Sequence, residues 1–468
     1  MTPCDDPDRP ASRSTVTIPT GPEDLSHPIR SIRAVSFPLD RPGNVAGAPP
    51  GASGAPGASR ALGGARADSD ACPGALRLHD AADGPLARVR IPGGRITGIQ
   101  MAALRALAEE YGDGHVELTS RANLQLRALR GIAATRLAER FAAAGVLPSA
   151  THELVRNIAG SPLLEDAAQV TALDEALCAD PVLATLPGRF LFAIDDGTGD
   201  VAHSADVAAL PRQALPGMTV LFAGRDVGLR VRSDQVVGAL LAAGHAFLTL
   251  AAQDVGAGRR RPWRVRELAD GPARMAAHIA AALGVPLGEP DPHLTRPVLR
   301  EPIGVVPRPD ARVAVGALVP LGRLGGDALR ALESAETLVV TPWRGVVVPG
   351  LPADRAATWM RKLAGAGLET AAGSRWTGVT SCAGLPGCAK ALADVRADAD
   401  ATTLPGAALP VHWVGCARGC GSPQGPHVRV EATGSGYLVH RAPVNDFTAD
   451  GSVPVAEVAA LVAAVRKG

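Results

Sequence analysis

The stretch ARVRIPGGRITGIQMAALRALAEE (87–110), followed by HVELTSRANLQLRAL (115–129), sets the plan of the chain, because GALVPLGRLGGDALRALESA (316–335) and TLVVTPWRGVVVPGL (337–351) repeat it. Each copy reads as a strand, a Gly-Arg turn, an amphipathic helix and a second strand. In the first helix Ile99, Ala103 and Leu107 recur at i, i+4 and i+8, which predicts a shared face. Thr97 is the expected N-cap there, and Asp327 that of the second helix. The copies stand about 225 residues apart, whereas solenoids repeat at roughly 20–50 residues. The spacing points instead to an old duplication with pseudo-twofold symmetry, each half-unit pairing with the other to complete one sheet.

Between the copies, LPGRFLFAIDDG (186–197), TVLFAG (219–224) and FLTLAAQ (247–253) are apolar runs separated by helical patterns such as VVGALLAAG (236–244). They suggest a second α+β domain. Beyond the second copy, RAATWMRKLAGAGL (355–368) reads as a helix, then come a cysteine region and a closing helix near 454–466. The expected organisation is α+β, with half-units at 69–148 and 301–352 forming one composite domain. A middle domain at 149–300 and a C-terminal domain at 353–468 complete it. Residues 46–59 are all Gly, Ala, Pro or Ser, which cannot bury enough apolar surface to offset the entropy of ordering, so 1–68 is expected to be a disordered leader.

With 47 basic and 46 acidic side chains the chain lacks the excess of a nucleic-acid coat protein, and no nucleic-acid partner is expected. A hydrophobic share of 46% excludes wholesale disorder, and Phe 7, Trp 5 and Tyr 2 leave the cores to aliphatic residues. No uninterrupted apolar run approaches the roughly 18 residues of a membrane span, and MTPCDDPDRPASRS lacks a secretory apolar segment. The expectation is a soluble, cytoplasmic protein without a membrane partner.

Cysteines stand at 4, 72, 178, 382, 388, 416 and 420. An odd number without an export signal does not read as a disulfide framework. Cys382 and Cys388 form C-x5-C, Cys416 and Cys420 form C-x3-C, and 27 residues separate the pairs. Four thiolates are what a four-iron four-sulfur cluster takes from protein. Structural zinc is the competing reading, although its paired ligands usually stand about two to four residues apart. Cys4, Cys72 and Cys178 read as incidental, and His412 and His427, flanking the second pair, as structural.

Treated as one strand, Thr119–Arg127 alternates so that Thr119, Arg121, Asn123, Gln125 and Arg127 share a face. With Arg88 and Arg90 on a neighbouring strand, that face suits a polyanion, since arginine binds carboxylates bidentately. Arg156-Asn157, Arg189 and Trp343-Arg344 are weaker signals. No nucleotide fingerprint, P-loop or nucleophile elbow occurs. Electrons are therefore expected through the cluster from a separate electron donor protein.

Together the duplicated half-units, TSRANLQLR (119–127), Arg156-Asn157, LPGRF (186–190) and the four-cysteine pattern resemble the sulfite and nitrite reductase family. The resemblance implies ferredoxin-like half-units with two further α+β domains, and a four-iron cluster coupled to sirohaem. It implies that Cys382, Cys388, Cys416 and Cys420 ligate the cluster, with Cys420 bridging to haem iron. Arg121 and Arg156 match the family's anion-binding arginines. Where the family has LPRKFK, this chain has Leu186-Pro187-Gly188-Arg189-Phe190-Leu191, so one lysine is arginine and the other leucine.

ACPGALRLHDAADGPLARVRIPGGR (71–95), PLGRL (320–324) and VTPWRGVVVPGL (340–351) resemble the branch of that family in which a tetrapyrrole is substrate, in the oxygen-dependent cobalamin pathway. That likeness implies hydroxylation of precorrin-3A at C20 with closure of a ring A lactone. It also implies dioxygen as co-substrate, an external, NADH-derived reductant, and a non-haem iron whose ligands the sequence does not identify. Arg121, Arg156 and Arg189 would be catalytic. Arg88, Arg90, Arg121, Asn123, Gln125, Arg127 and Asn157 would bind the substrate. The alternatives are a sirohaem-dependent sulfite or nitrite reductase, and a non-enzymatic Fe–S or zinc protein that binds a tetrapyrrole.

Overall fold

The computed structural model describes residues 72–467 apart from 213–214, 292–293, 295–300, 407–408, 424, 444–445 and 448–450, so the predicted leader lies outside the described residues. The duplication builds two antiparallel sheets. The first orders His79–Ala81, Gly84–Val89, Leu124–Leu126, His115–Leu118 and Arg323–Gly325, and the second Gly304–Pro307, Val313–Leu318, Gly345–Leu351, Leu338–Val340 and Arg95–Ile96. The expected single sheet is thus corrected. Each copy lends the short strand after its Gly-Arg turn to the edge of the other's sheet, pairing Arg323 with Glu117 and Arg95 with Val339. Both copies nevertheless share one apolar core, in which Leu104, Leu124 and Leu126 meet Val315, Leu329 and Leu338.

Thr97 caps the helix Gly98–Tyr111 in a capping box with Gln100, as the sequence predicts. Of the predicted face only Leu107 is buried. Met101, Leu104, Leu107 and Ala108 are buried while Ile99 is 83% exposed, because the helix is seated by its start, where the Gly98 N–H donates to Ala335 O at 3.0 Å. In the second copy the helix Gly326–Leu332 is capped at Gly325, so Asp327 lies in the first turn and not at the cap.

The middle sheet orders Arg225–Val231, Met218–Phe222, Val207–Pro211, Phe192–Ile194 and Ile158–Gly160. FLTLAAQ, expected among the apolar runs, belongs with VVGALLAAG to one helix, Val236–Gly256. With its lead-in from Ser233 that helix is long and apolar enough to cross a membrane by length and composition, which the sequence reading did not anticipate. Here Val236, Leu240, Ala243 and Phe247 are fully buried in the core of the middle sheet. The C-terminal sheet orders Val379–Ser381, Val411–Val414, His427–Thr433, Gly436–Ala442 and Asp446–Phe447, its first two pairings parallel. Helices Ala356–Gly365 and Val455–Lys467 form where the sequence places them.

Candidate functional site

The four cysteines stand on loops that leave the same ends of two adjacent parallel strands. Cys382 directly follows Val379–Ser381, and Cys416 lies two residues beyond Val411–Val414. The loops are stitched by Cys382 N–H to Trp413 O at 2.8 Å, Leu392 N–H to Gly415 O at 2.8 Å and Gly415 N–H to Cys382 Sγ at 3.2 Å. Gly415 must be glycine, since a Cβ there would lie 2.7 Å from that of Ala391. Burial pushes the Cys420 thiol up, and the other three cysteines add to the shift, so the four thiols converge.

Four converging thiols are a donor set that a metal centre could bind with loss of their protons. A four-thiolate zinc site would hold its sulfurs about 3.8 Å apart, given Zn–S near 2.3 Å. Among the described residues, the one group of three or more metal-ligating atoms all within 4.8 Å of one another is Asp195, Asp196 and Asp200. No three of the four thiols form such a group, so they do not stand at the mutual spacing of a single zinc's ligands. His412 is fully buried, its Nε2–H donating to Cys420 O at 3.0 Å and its Nδ1 facing Thr380 Oγ1 at 2.8 Å. Burial holds it down to about 3, so it stays neutral.

The predicted polar strand is corrected. Only Leu124–Leu126 is strand, and Thr119–Asn123 is a turn in which Thr119 Oγ1 accepts the Asn123 N–H at 3.1 Å and Ala122 adopts φ 55°. Its side chains consequently part company. Arg121 turns toward the middle domain, 3.5 Å from Gly188 O, with Arg264 and Asp206 close enough to act on its charge. Asn123 is buried, accepting the Ile91 N–H and donating to Asn157 Oδ1 at 3.1 Å, while Asn157 donates to Gly188 O at 2.8 Å. Gly188 is therefore the point where TSRAN, RN and LPGRF meet.

Gln125 and Arg127 face the cysteine domain instead. Arg88, Gln125, Glu117 and Arg323 form one row across four strands. Within it, Arg88 donates to Gln125 at 3.1 Å and Gln125 to Glu117 at 2.6 Å, and Arg396 of the C-terminal domain pairs with Glu117 at 2.6 Å. Arg127 is buried against Asp83 through two bonds of 3.0 Å and donates to Gly387 O at 2.6 Å, directly before Cys388. It holds a cysteine loop and is not available to a ligand carboxylate.

Arg156 is likewise committed, to Asp174 through bonds of 2.7 and 2.6 Å. Arg90 is 3% exposed with its Nε unbonded, and burial, aided by Arg88, brings it down to about 9. Arg90, Arg95, Arg156, Thr171 and Asp174 line a polar cavity of about 310 Å³. Arg189 is exposed, its guanidinium 4.6 Å from the Trp263 ring centre, whereas Leu191 is 4% exposed in the apolar core with Ala159, Ala193 and Val201. Sequence reasoning missed Glu117, Asp83 and Arg396. An acid inside the apolar strand HVEL was the signal for the first.

Residues 79–144, within the first half-unit, match the family described as nitrite/sulfite reductase ferredoxin-like half domain. The chain is 31% identical over 382 residues to the ferredoxin–nitrite reductase of Synechococcus elongatus, covering 72% of this chain and 74% of that one. It belongs to the nitrite and sulfite reductase family. The chain is also similar to the precorrin-3B synthase of a Sinorhizobium species, 28% identical over 389 residues, covering 78% of this chain and 81% of that one. The solved structure of the Mycobacterium tuberculosis NirA protein superposes with a TM-score of 0.64 at 20% identity, covering 80% of this chain and 79% of that one. That likeness carries the shared family fold.

Proposed function

We propose that this family member is a precorrin-3B synthase, a monooxygenase that hydroxylates precorrin-3A at C20 and closes the ring A lactone. One oxygen atom of dioxygen enters the product, and the other leaves as water with two protons and two electrons. The electrons come from an external, NADH-derived reductant through a separate donor protein, and the reaction runs in the cytoplasm. Likeness over 81% of a precorrin-3B synthase supports this reading. The observation that carries it is Leu191. Where the resemblance expects a lysine serving a small anion, this chain buries an apolar side chain in the middle-domain core, its N–H bonded to Asp206 at 2.9 Å.

Cys382, Cys388, Cys416 and Cys420 would hold the four-iron four-sulfur cluster, which supplies one-electron transfer when bound. Arg127, through Gly387 O, and His412, through Cys420 O, keep their loops in place. Arg88, Arg90 and Arg121 concentrate positive charge beside Asn123 and Asn157, and we assign them to the carboxylates of precorrin-3A. Gln125, Arg127, Asn157 and Arg156 act indirectly, by holding those arginines and the domains that carry them. The non-haem iron this reading includes is given no ligands. In the acidic group near 195–200, both Asp195 carboxylate oxygens already accept backbone N–H bonds, from Gly197 and Gly199 and from Val201 and Ala202.

The 31% identity to a nitrite reductase favours a second reading, sirohaem-dependent reduction of nitrite or sulfite. Anaerobic purification followed by assay of iron, acid-labile sulfide and extractable tetrapyrrole separates the two. Iron and sulfide without sirohaem, with turnover of precorrin-3A under oxygen, is the expected result. One sirohaem per chain with nitrite or sulfite turnover would replace the first reading by the second.

A further inference from the structure

The two copies contain the same turn with different occupants. In the first, Thr119 N–H donates to Asn123 O at 2.9 Å and Ala122 N–H to Thr119 O at 3.1 Å. In the second, Thr341 N–H donates to Gly345 O at 2.9 Å, Arg344 N–H to Thr341 O at 3.0 Å, and Gly345 N–H to Thr341 Oγ1 at 3.0 Å. The turn holds its fourth residue left-handed, Ala122 at φ 55° and Arg344 at φ 64°. Glycine takes that conformation without strain, and an L side chain does not. In the first copy a methyl group suffices, packed where a Cβ on Gly94 would lie 3.1 Å from it.

Arg344 instead runs its stem over Gly322 and brings its guanidinium beside Gly421, next to Cys420, where a Cβ would lie 3.2 Å from its Nη2 and 3.6 Å from His412 Cε1. Among the described residues that guanidinium has no hydrogen-bond or ion-pair partner. Glu117 and Glu301 act on it electrostatically, but Glu117 is bonded to Gln125 and Arg396. Burial holds Arg344 down to about 10 and lifts Glu301 to about 7. A partly buried guanidinium that no described residue hydrogen-bonds or ion-pairs, carried on a left-handed residue, is costly on both counts unless a ligand meets it.

We propose that Arg344 binds a carboxylate of the tetrapyrrole substrate at the edge of the cysteine loops, a role that rests on the reading given above. Its planar fork matches a carboxylate, and its approach complements that of Arg121, which leaves the corresponding turn toward the middle domain. A macrocycle rimmed with carboxylates suits cations arriving from two sides.

The test uses the full chain, purified anaerobically with its metal, and uroporphyrin III as probe. Arg344→Gly should keep its iron and sulfide and unfold at or above the wild-type temperature. It should bind the probe at least about tenfold more weakly, as expected for a lost charge-assisted bond. Arg344→Lys should recover part of that loss and Arg344→Gln little of it. Equal affinity in wild type and Arg344→Gly would overturn the assignment alone. So would a lowered unfolding temperature and affinity that Arg344→Gln restores together, which would show packing at work. A shift in cluster potential with unchanged affinity would assign the arginine to the cluster and also overturn it. Wild type that binds no uroporphyrin III and turns over no precorrin-3A would remove the tetrapyrrole reading, and this proposal with it.

Discussion

The first half-unit meets the middle domain through the turn Pro92–Gly94, whereas the second meets the cysteine domain through the equivalent turn Pro320–Gly322. Both turns place their middle residue left-handed, Gly93 at φ 62° and Leu321 at φ 53°. Gly93 lets the backbone of Gly160 approach, to the point that a Cβ on Gly160 would lie 3.1 Å from its Cα. Leu321 packs its side chain against the C-terminal core. The scaffold is the same twice over, and single side chains at its turns decide which domain docks and which charge faces the site. Duplication supplied the geometry and divergence supplied the chemistry.

Four experiments would break or sharpen this contrast. The largest effect belongs to the second copy's side. Cys388→Ser should lose the cluster, read as iron and acid-labile sulfide per chain, and retention of both would sink the assignment. On the first copy's side, Arg156→Ala leaves the partly buried Asp174 without its partner, where side-chain exposures are 5% and 16%. It should lower stability by about 3 kcal/mol in denaturant titration, and a neutral result would show that the pair is dispensable for the stability of the middle domain.

Arg121→Ala should fold normally and weaken tetrapyrrole binding by about 1.5–3 kcal/mol, measured by titration. Unchanged affinity would take Arg121 out of the site. The smallest effect tests the seam between the copies, where Arg323 on its lent strand donates to Asp113 at 2.8 Å. Burial alone would raise Asp113, but hydrogen bonds from His115 and Arg323 bring it from 3.8 to about 2. A depressed carboxylate stabilises the fold above its unfolded pKa and ceases to do so as pH falls through the folded one. Asp113→Asn should therefore cost at most about 2 kcal/mol at pH 6, with the difference from wild type shrinking between pH 4 and pH 2. A pH-independent difference would contradict that account.

The duplicated plan, the cap at Thr97 and the four cysteines were legible because each depends on residues close in sequence or on a distinctive spacing. The polar strand was misread for an equally local reason. Period-two alternation from Thr119 to Arg127 ignores that Ala122 is left-handed, and one such residue rotates everything before it away from the strand's face. The sequence showed five hydrogen-bonding side chains in register, and the fold sent Arg121 to the middle domain, Asn123 to Asn157, and Gln125 and Arg127 to the cysteine domain. Ile99 failed similarly. Helical periodicity names a possible face, but the contact at Gly98 chooses among them.

By itself the sequence determined that two related half-units exist, that they flank an apolar α+β segment, and that four cysteines stand in two spaced pairs. These follow from periodicity, composition and spacing, which any local segment carries with it. Only the tertiary structure decided that the copies exchange edge strands, that Arg127 and Arg156 are consumed by Asp83 and Asp174, and that no described residue hydrogen-bonds or ion-pairs with the Arg344 guanidinium. Whether a guanidinium is spent on the fold or kept for a ligand depends on which carboxylate the folded chain brings within about 3 Å of it, a distance that no sequence spacing encodes.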